Sequence, residues 1–481
     1  MAPTHSEAID TASLDRMTRR VGIGLTAGPS LATIDAALVE IDPNPIRLKP
    51  VELIEFLPVP VPPDLKARLV DARSGAATTP AAMSELDTEV GKLLADAAKK
   101  VAGARLGEVE FIASCGMPVA RTSASSEESK SDDDGGAGTP PEVVRIGDAS
   151  VLARDTAKCV VSDFVPAESD ETGVFSTADA VLFRHLLDDT RTIEWHRKPT
   201  ADTKCGLVVV HFGAMASMTA LSGTGRVLRS FDCGPGNMVM NLIVQNAVAL
   251  GLEPKDPKDE ALAEKLRAGG MRFDEGGKIA RGGRVYHGRT RDAPIDFAWT
   301  APFFTRSPVR RGSEADFGME FTKTFVGRFP KEPPVRFAEV GKEWRNVNDV
   351  VRTALEHAAL CVMEGIASHV GAVSGSGNHL MGHSGSTGRV LISGGGAYNW
   401  ALMARLRELG WKNLRFETST ECGIRADAAQ AMRAATLGYL TLSGARGPAG
   451  DEAAAAGAGG AVLGKVYTPG GDPAPVFEPV K

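Results

Sequence analysis

Apolar positions along the chain fall in short runs cut by glycine- and proline-marked turns, with longer amphipathic stretches between them. Residues 21–25 form an apolar run, Thr26-Ala27-Gly28-Pro29-Ser30 reads as a turn, and 34–41 is a second run. That pattern predicts a hairpin opening the first domain. Residues from 64 onward and 84–101 read as helices, 109–113 and 159–162 as strands, and a helix is expected over 178–187. Residues 207–212 are a continuous apolar strand that opens a second domain. Residues 241–250 read as a helix with Gly251 as its closing glycine. Residues 351–370 form a long amphipathic helix, 390–392 a strand running into Gly394-Gly395-Gly396, and 397–409 and 427–440 two further helices. Strands alternating with helices, plus hairpins, predict an α/β fold.

The chain has 481 residues, 43% of them apolar, enough to bury more than one core. The expected division is a disordered polar N-terminus over 1–17, a first domain over 18–204 and a second over 205–481. The acidic low-complexity stretch 122–140 (TSASSEESKSDDDGGAGTP) inserts into the first domain, and the Gly/Ser-rich stretch 371–388 into the second. The acidic stretch has too little apolar area to order itself. Residues 443–461 are Gly/Ala/Pro-rich, and Val462-Leu463-Gly464-Lys465-Val466 is expected to add a small element to the second domain.

The net charge of -6, without a basic stripe, argues against nucleic acid as a partner. Six cysteines stand singly with no CxxC pair, which argues against a zinc knuckle or disulfide framework and suits a reducing compartment. There is no apolar leader and no run of 18 apolar residues, so the reading is a cytoplasmic protein without a membrane partner.

Four places carry candidate chemistry. In Ser393-Gly394-Gly395-Gly396-Ala397-Tyr398-Asn399, a strand passes through glycines into a helix, so a ligand can approach the backbone and the first helical N–H groups. A tight turn alone is the competing reading. In Phe231-Asp232-Cys233-Gly234-Pro235-Gly236-Asn237, Asp232 is placed to bind a sugar hydroxyl or a water-bridged magnesium ion, with Gly234 and Gly236 presenting N–H groups. The turn from Gly24 through Gly28 to Ser30 is a phosphate-cradle candidate, although Pro29 removes one donor and no Walker lysine follows. Asp163, Glu168, Asp170 and Glu171 form an acidic cluster that offers a general base, Asp163 standing directly after a strand. His211 reads as structural or functional, and Cys115 and His185 fit no nucleophile–base order.

Taken together and in order, GLTAGPSLATIDAAL (24–38), EFIASCGMPVAR (110–121), IGDASVLARDT (146–156), VVSDF (160–164), HFGAMAS (211–217), FDCGPGN (231–237), FDEGGKIARGGRV (273–285), SGGGAYN (393–399) and the tail VLGKV resemble the anhydro-N-acetylmuramic acid kinase family, on the side of its fungal levoglucosan kinase branch. The resemblance implies an actin-like ATPase and sugar kinase fold, with two α/β domains of mixed sheets around a cleft. It implies ATP and Mg2+ as cofactors, a 1,6-anhydrosugar or related alcohol as acceptor, and pairing as a homodimer. In the family an Asp activates water to open the anhydro ring while O6 takes the phosphoryl group. Carried over by position, Gly24, Gly28, Ser30 and Asp35 match the first loop, whose Mg2+-positioning Asp is Ala32 here; Asp35 and Asp232 remain as metal candidates. Asp163 matches, Val165 stands for an Arg, and Glu168 falls at the catalytic Asp, with Asp170 as substitute. The Asn-rich phosphate segment becomes His211 to Ser217 with Gly213 kept, Cys233 replaces a Thr, and Gln430 replaces a Glu. The cofactor set so implied is Gly24, Gly28, Ser30, Gly213, Asp232, Gly234, Gly236, Asn237, Gly394, Gly395, Gly396 and Asn399. An active phosphotransferase and a non-catalytic pseudokinase that binds a nucleotide or metabolite and regulates a partner both remain open.

Overall fold

In the computed structural model, the residues described are 19–28, 30–42, 50–73, 79–120, 143–164, 171–187, 205–256, 258–287, 293–306, 310, 312–330, 345–370, 388–410, 414–445, 463–471, 475 and 477. The N-terminal stretch 1–17, the acidic insert 122–140 and residues 371–387 of the second insert lie outside them. Two compact units result: Met1–His185 with Gln430–Lys481, and Leu186–Ala429.

This division corrects the linear one, because the chain does not end in the unit it enters at 205. Its last segment returns to the first unit for two physical reasons. The helix Ala429–Leu442 lays its backbone against Gly24, where a side chain would meet the Ala431 carbonyl oxygen. Lys465–Tyr467 then hydrogen-bonds as an antiparallel edge strand to Cys159–Ser162.

The first unit is built on β1 (Arg20–Ala27), β2 (Thr33–Ile41), β3 (Val51–Pro60), β4 (Phe111–Ser114), β5 (Met117–Ala120), β6 (Val143–Ile146) and β7 (Cys159–Ser162), with β13 (Lys465–Tyr467) from the tail. Its main sheet runs β13-β7-β4-β1-β2-β3, while β5 and β6 form a separate ribbon. The predicted hairpin is present, with Ala27 opposite Ile34. Strands β1, β4 and β7 are mutually parallel. All residues of β4 and β7 are buried, as expected of parallel strands covered on both faces.

The helices are α1 (Pro63–Arg73), α2 (Pro80–Ala102), α3 (Ala149–Thr156) and α4 (Glu171–Leu182). The α2 helix starts where Thr79 accepts a hydrogen bond from the Ala82 amide with Pro80 next in line, and ends with Lys99 and Lys100 before Gly103. Its stripe Leu86, Val90, Leu94, Ala98 and Val101 is buried in the first core. The 178–187 helix in fact begins seven residues earlier, at Glu171, and closes in a 3-10 turn over Arg184–Leu187.

The second unit holds β8 (Cys205–Phe212), β9 (Met215–Ser222), β10 (Val227–Pro235), β11 (Gly388–Ser393) and β12 (Leu414–Thr418), in the order β10-β9-β8-β11-β12. The first three form an antiparallel meander, and β8, β11 and β12 are parallel. Leaving β13 aside, the two main sheets share one order and one set of strand directions, a meander of three followed by two parallel strands. Both sheets are mixed, and the fold is α/β.

Around the second sheet lie α5 (Met238–Gln245), α6 (Glu260–Arg267), α7 (Lys278–Gly282), α8 (Val347–Gly365) and α9 (Trp400–Gly410), and the chain leaves through α10 (Ala429–Leu442). The helix read over 241–250 stops at Gln245. Turns follow as far as Gly251, whose φ of 68° is the left-handed geometry that suits glycine. The α8 helix is capped by the Asn346 side chain and buried on nearly all sides, its last residues passing into a π-turn over Ile366–Val370. The Asp274 carboxylate accepts from the Ile279 and Ala280 amides, which explains the acid in the FDEGGKIARGG segment as a local brace at the start of α7.

His357 on α8 is enclosed by Trp299, Phe304 and Cys361, and burial pushes its pKa down to about 3. Below the ordinary imidazole value near 6.5 the unfolded chain takes up this proton and the folded chain does not, so stability rises with pH in that window. Chemical denaturation is expected to show a loss of about 2 kcal/mol from this residue between pH 7 and pH 5. His357→Phe should flatten that slope.

Candidate active site

Three of the glycine-bearing segments converge at one end of the second sheet, where β8 and β11 run out side by side. The short turn after β8 is held by Gly213 N–H to the Met215 carbonyl. The FDCGPGN segment ends β10 and folds onto that turn: the Gly236 amide donates to the Ala214 carbonyl, the Asn237 amide to the Gly213 carbonyl, and the Asn237 side-chain amide to the Phe212 carbonyl at 3.2 Å. The glycine turn after β11 lies against the same place. A side chain on Gly394 would meet His211 and the Phe212 carbonyl, one on Gly396 would meet the Phe212 ring, and Gly394 has a φ of 78°. Gly395 is exposed, and a side chain there would have only the Asn237 amide nearby, at 3.7 Å.

These glycines therefore do two different jobs. Gly394 and Gly396 let the turn lie on β8, whereas Gly395 leaves a face of the backbone exposed. Parallel strands ending in glycine turns are where α/β sheets place ligands. Two buried hydroxyls at these strand ends, Ser393 Oγ and Ser419 Oγ, have no hydrogen-bond partner among the described residues.

Other candidates have structural employment. Gly234 backs onto Cys361, 2.8 Å from where its side chain would begin. The Asp232 carboxylate is buried and accepts from the Gly312 amide at 2.8 Å. Asn399 accepts from the Leu402 amide and so caps the start of α9. Burial pushes the Cys233 thiol well up, followed by the neighbouring Asp232 charge, which leaves it inert as a nucleophile at neutral pH.

In the first unit the relevant ends are those of parallel β1, β4 and β7. Gly24 lies within β1 against α10, and Gly28 and Ser30 are exposed in the following turn, where the Leu31 amide donates to the Gly28 carbonyl. Leu31 and Asp163, in the loops that follow β1 and β7, both have left-handed backbone, with φ of 50° and 53°. Residues held in that region cost energy and concentrate where a loop is shaped for a purpose. The exposed Asp163 carboxylate accepts from the Tyr467 hydroxyl at 2.7 Å and lies 3.4 Å from Lys465 Nζ. Burial first, then the Asp163 carboxylate, push the Tyr467 hydroxyl up to about 12. Glu168 and Asp170 lie outside the described residues, and the side chain of Glu171 is likewise not described. Gln430 accepts from Arg433, which also makes a buried ion pair with Asp179, one hydrogen bond at 3.0 Å and a second nitrogen–oxygen contact at 2.9 Å. Cys115 is a buried free thiol.

Asp35 accepts from the Thr33 hydroxyl, and it and Asp232 belong to different units. No group of three or more His, Cys, Asp or Glu residues able to hold a metal ion occurs among the described residues. The donor set thus forms no protein cage for magnesium, an ion that keeps most of its ligands from water and phosphate. For a nucleotide the residues fit better: the Gly395 backbone is open beside the Asn237 amide, and the Ser393 and Ser419 hydroxyls at these strand ends have no partner among the described residues, donor types that phosphate groups use.

Sequence reading missed Ser419 and took Ser217 only as the end of the segment that starts at His211. Ser217 was within reach, because a short hairpin turn sets it across from His211. Ser419 is placed by the β11–β12 pairing and left no local signal.

Comparison with known proteins finds relatives along most of the chain. The Anhydro-N-acetylmuramic acid kinase of Vibrio cholerae is 26% identical over 431 residues, covering 89% of this chain and 93% of its own. That of Gloeobacter violaceus is 27% identical over 457 residues, covering 94% and 99%. Among solved structures, the activator of the 2-hydroxyisocaproyl-CoA dehydratase from Clostridium difficile with bound ADPNP covers 86% of this chain and 93% of its own, at 10% identity and a TM-score of 0.34, a likeness too weak to carry weight. No helix among the described residues is long and apolar enough to cross a membrane. Residues 20–469 match the family described as Anhydro-N-acetylmuramic acid kinase, nearly the whole length, and the chain belongs to that family.

Proposed function

We propose that this protein binds ATP at the end of β8 and β11 and transfers a phosphoryl group to a 1,6-anhydrosugar or a related alcohol. The observation that carries the reading is the convergence of the Gly213, Asn237 and Gly394–Gly396 segments on one cradle with an open backbone at Gly395. The repeated sheet order of the two units supports an actin-like sugar kinase architecture. Gly213, Asn237, Ser393 and Gly395 would hold the nucleotide, which supplies the phosphoryl group when bound. Asp163, held in strained backbone after β7, and the Glu168–Asp170 stretch that follows it are the proposed acid–base side. In this reading the chain stands on the side of the levoglucosan kinase branch, a likeness carried by its segments taken in order. In this reading the protein works in the cytoplasm, and two copies pair.

One set of observations favours a second reading, a pseudokinase that binds nucleotide without turnover. Ala32 brings no carboxylate to the first turn, and Gln430 spends its amide oxygen on Arg433. The two readings separate in one experiment. The protein is incubated with MgATP and either 1,6-anhydro-N-acetylmuramic acid or levoglucosan, and ADP release is followed. Sugar-dependent release, lost in Glu168→Ala, is expected. Binding of MgATP by calorimetry without any sugar-dependent ADP would leave the pseudokinase, and no binding at all would remove both.

A further inference from the structure

Register places four polar residues in one line across the second sheet. Ser393 of β11 pairs with His211 of β8, His211 with Ser217 of β9, and Ser217 with Asp232 of β10. Direct cross-strand partners point to the same face, so these side chains form a row. The next row inward on that face is Leu391, Val209, Thr219 and Ser230. On the opposite face, Ile392, Val210, Met218 and Phe231 are fully buried apolar residues. All four positions of this row, near the strand ends and beside two glycine turns, are polar, whereas the next row inward is apolar on β8 and β11.

His211 sits at the centre of this row. A side chain on Gly394 would begin 3.0 Å from His211 Cε1, and one on Gly213 would begin 3.2 Å from Nε2, so the imidazole occupies the gap between the two turns. It is half-buried, while Ser393 beside it is 1% exposed with a hydroxyl that has no partner among the described residues. Among the described residues, the charged groups near this place include Asp232, Arg425 and Asp427. Asp232 stands two strands away and is held by the Gly312 amide. Arg425 and Asp427 flank Ala426, whose carbonyl accepts from the Gly394 amide, and they pair with each other at 2.8 and 2.9 Å. The turns Gly213–Ala214 and Gly394–Ala397 carry no charge. The row thus carries two titratable groups, the His211 imidazole and the Asp232 carboxylate, and the imidazole is the one set between the two glycine turns.

We propose that protonated His211, with the Ser393 hydroxyl, donates directly to phosphate oxygens of the nucleotide, so that nucleotide binding takes up a proton and strengthens as pH falls. This rests on the nucleotide reading of the same turns and adds its regulation. An amide at position 211 would donate at any pH. An imidazole donates from a charged group only once protonated, and a charge-assisted bond to phosphate is the stronger one. The limiting dependence is tenfold in affinity per pH unit above the ring's own titration midpoint.

The test is calorimetry of MgATP binding to the full-length protein between pH 6.0 and 8.0, in HEPES and in Tris, with His211→Asn as comparison. For the native protein the expected result is a fall in affinity of about tenfold or more from pH 6.0 to 8.0. The two buffers should give different heats, reporting uptake of close to one proton. His211→Asn should keep its melting temperature, bind MgATP and lose both the uptake and most of the pH dependence. Adenosine, without phosphates, should show neither effect. Equal pH profiles and proton counts for the native protein and the variant overturn the proposal and leave the nucleotide reading standing. Failure of the native protein to bind MgATP at any pH removes both. If the variant melts early, the His211 ring is followed by NMR in the native protein instead: its midpoint must rise on adding MgATP, and an unmoved midpoint overturns the proposal.

Discussion

Asp179→Ala is expected to lower the unfolding free energy by about 3–5 kcal/mol, the cost of removing one partner from a buried ion pair. Asp179 on α4 and Arg433 on α10 are 2% and 3% exposed, with Nε–Oδ1 at 2.9 Å and the second nitrogen–oxygen pair at 3.0 Å. Without the carboxylate the guanidinium keeps, among the described residues, the Gln430 oxygen and the face of Phe175, 5.0 Å away. Neither carries a charge to balance it in a site closed to water. Because the pair staples α4, from the middle of the chain, to α10, from its end, the loss should be cooperative and visible as a drop in both melting temperature and urea midpoint. Asp179→Leu combined with Arg433→Met removes both charges and is expected to recover most of the loss. A single Asp179→Ala variant within 1 kcal/mol of the native protein, on the order of a surface substitution, would show that Arg433 finds water or another anion.

The second large effect is expected at Gly24. Alanine there would drive its methyl group into the Ala431 carbonyl oxygen and bring it within 2.8 Å of the Ala435 amide, both backbone atoms of α10. Flexible side chains can turn aside, but a strand and a helix in contact must separate. The expected cost is about 3 kcal/mol, at the upper end of overpacking. Gly28→Ala is the matched control, since a side chain there meets no atom within 4 Å. If Gly24 served mainly as a phosphate turn, Gly24→Ala would spare stability and weaken nucleotide binding. The opposite outcome is expected, with the urea midpoint falling for Gly24→Ala and holding for Gly28→Ala.

Gly24 also illustrates why a matching motif does not assign a role. The residue is a glycine in the family pattern and a glycine here, and its environment gives a packing reason that no local sequence feature announces. Gly234 is a second case, backed onto Cys361 more than a hundred residues away. The FDCGPGN and SGGGAYN segments were readable as glycine turns because each carries its own turn chemistry. That the two would meet at Gly395 and Asn237 depended on β8 and β11 becoming parallel neighbours across nearly 180 residues of chain.

Local pattern sufficed for the first hairpin, the strands at 109–113, 159–162, 207–212 and 390–392, and the amphipathic helices, because each buries a stripe or run whose period is written in the residues themselves. It missed β3, whose exposed Glu52 and Glu55 break up the apolar run, and it ended the helix after Asn237 too late. The sequence alone determined an α/β chain, since apolar period and turn chemistry are local, and its segments in order carried the resemblance to the anhydro-N-acetylmuramic acid kinase family. Only the tertiary structure decided that the last fifty residues belong with the first unit, that Asp179 and Arg433 pair, and that Ser393, His211, Ser217 and Asp232 stand in one row. Each of those depends on strand register or helix contact between segments far apart in the chain, and such contacts are chosen by the packing of the whole unit.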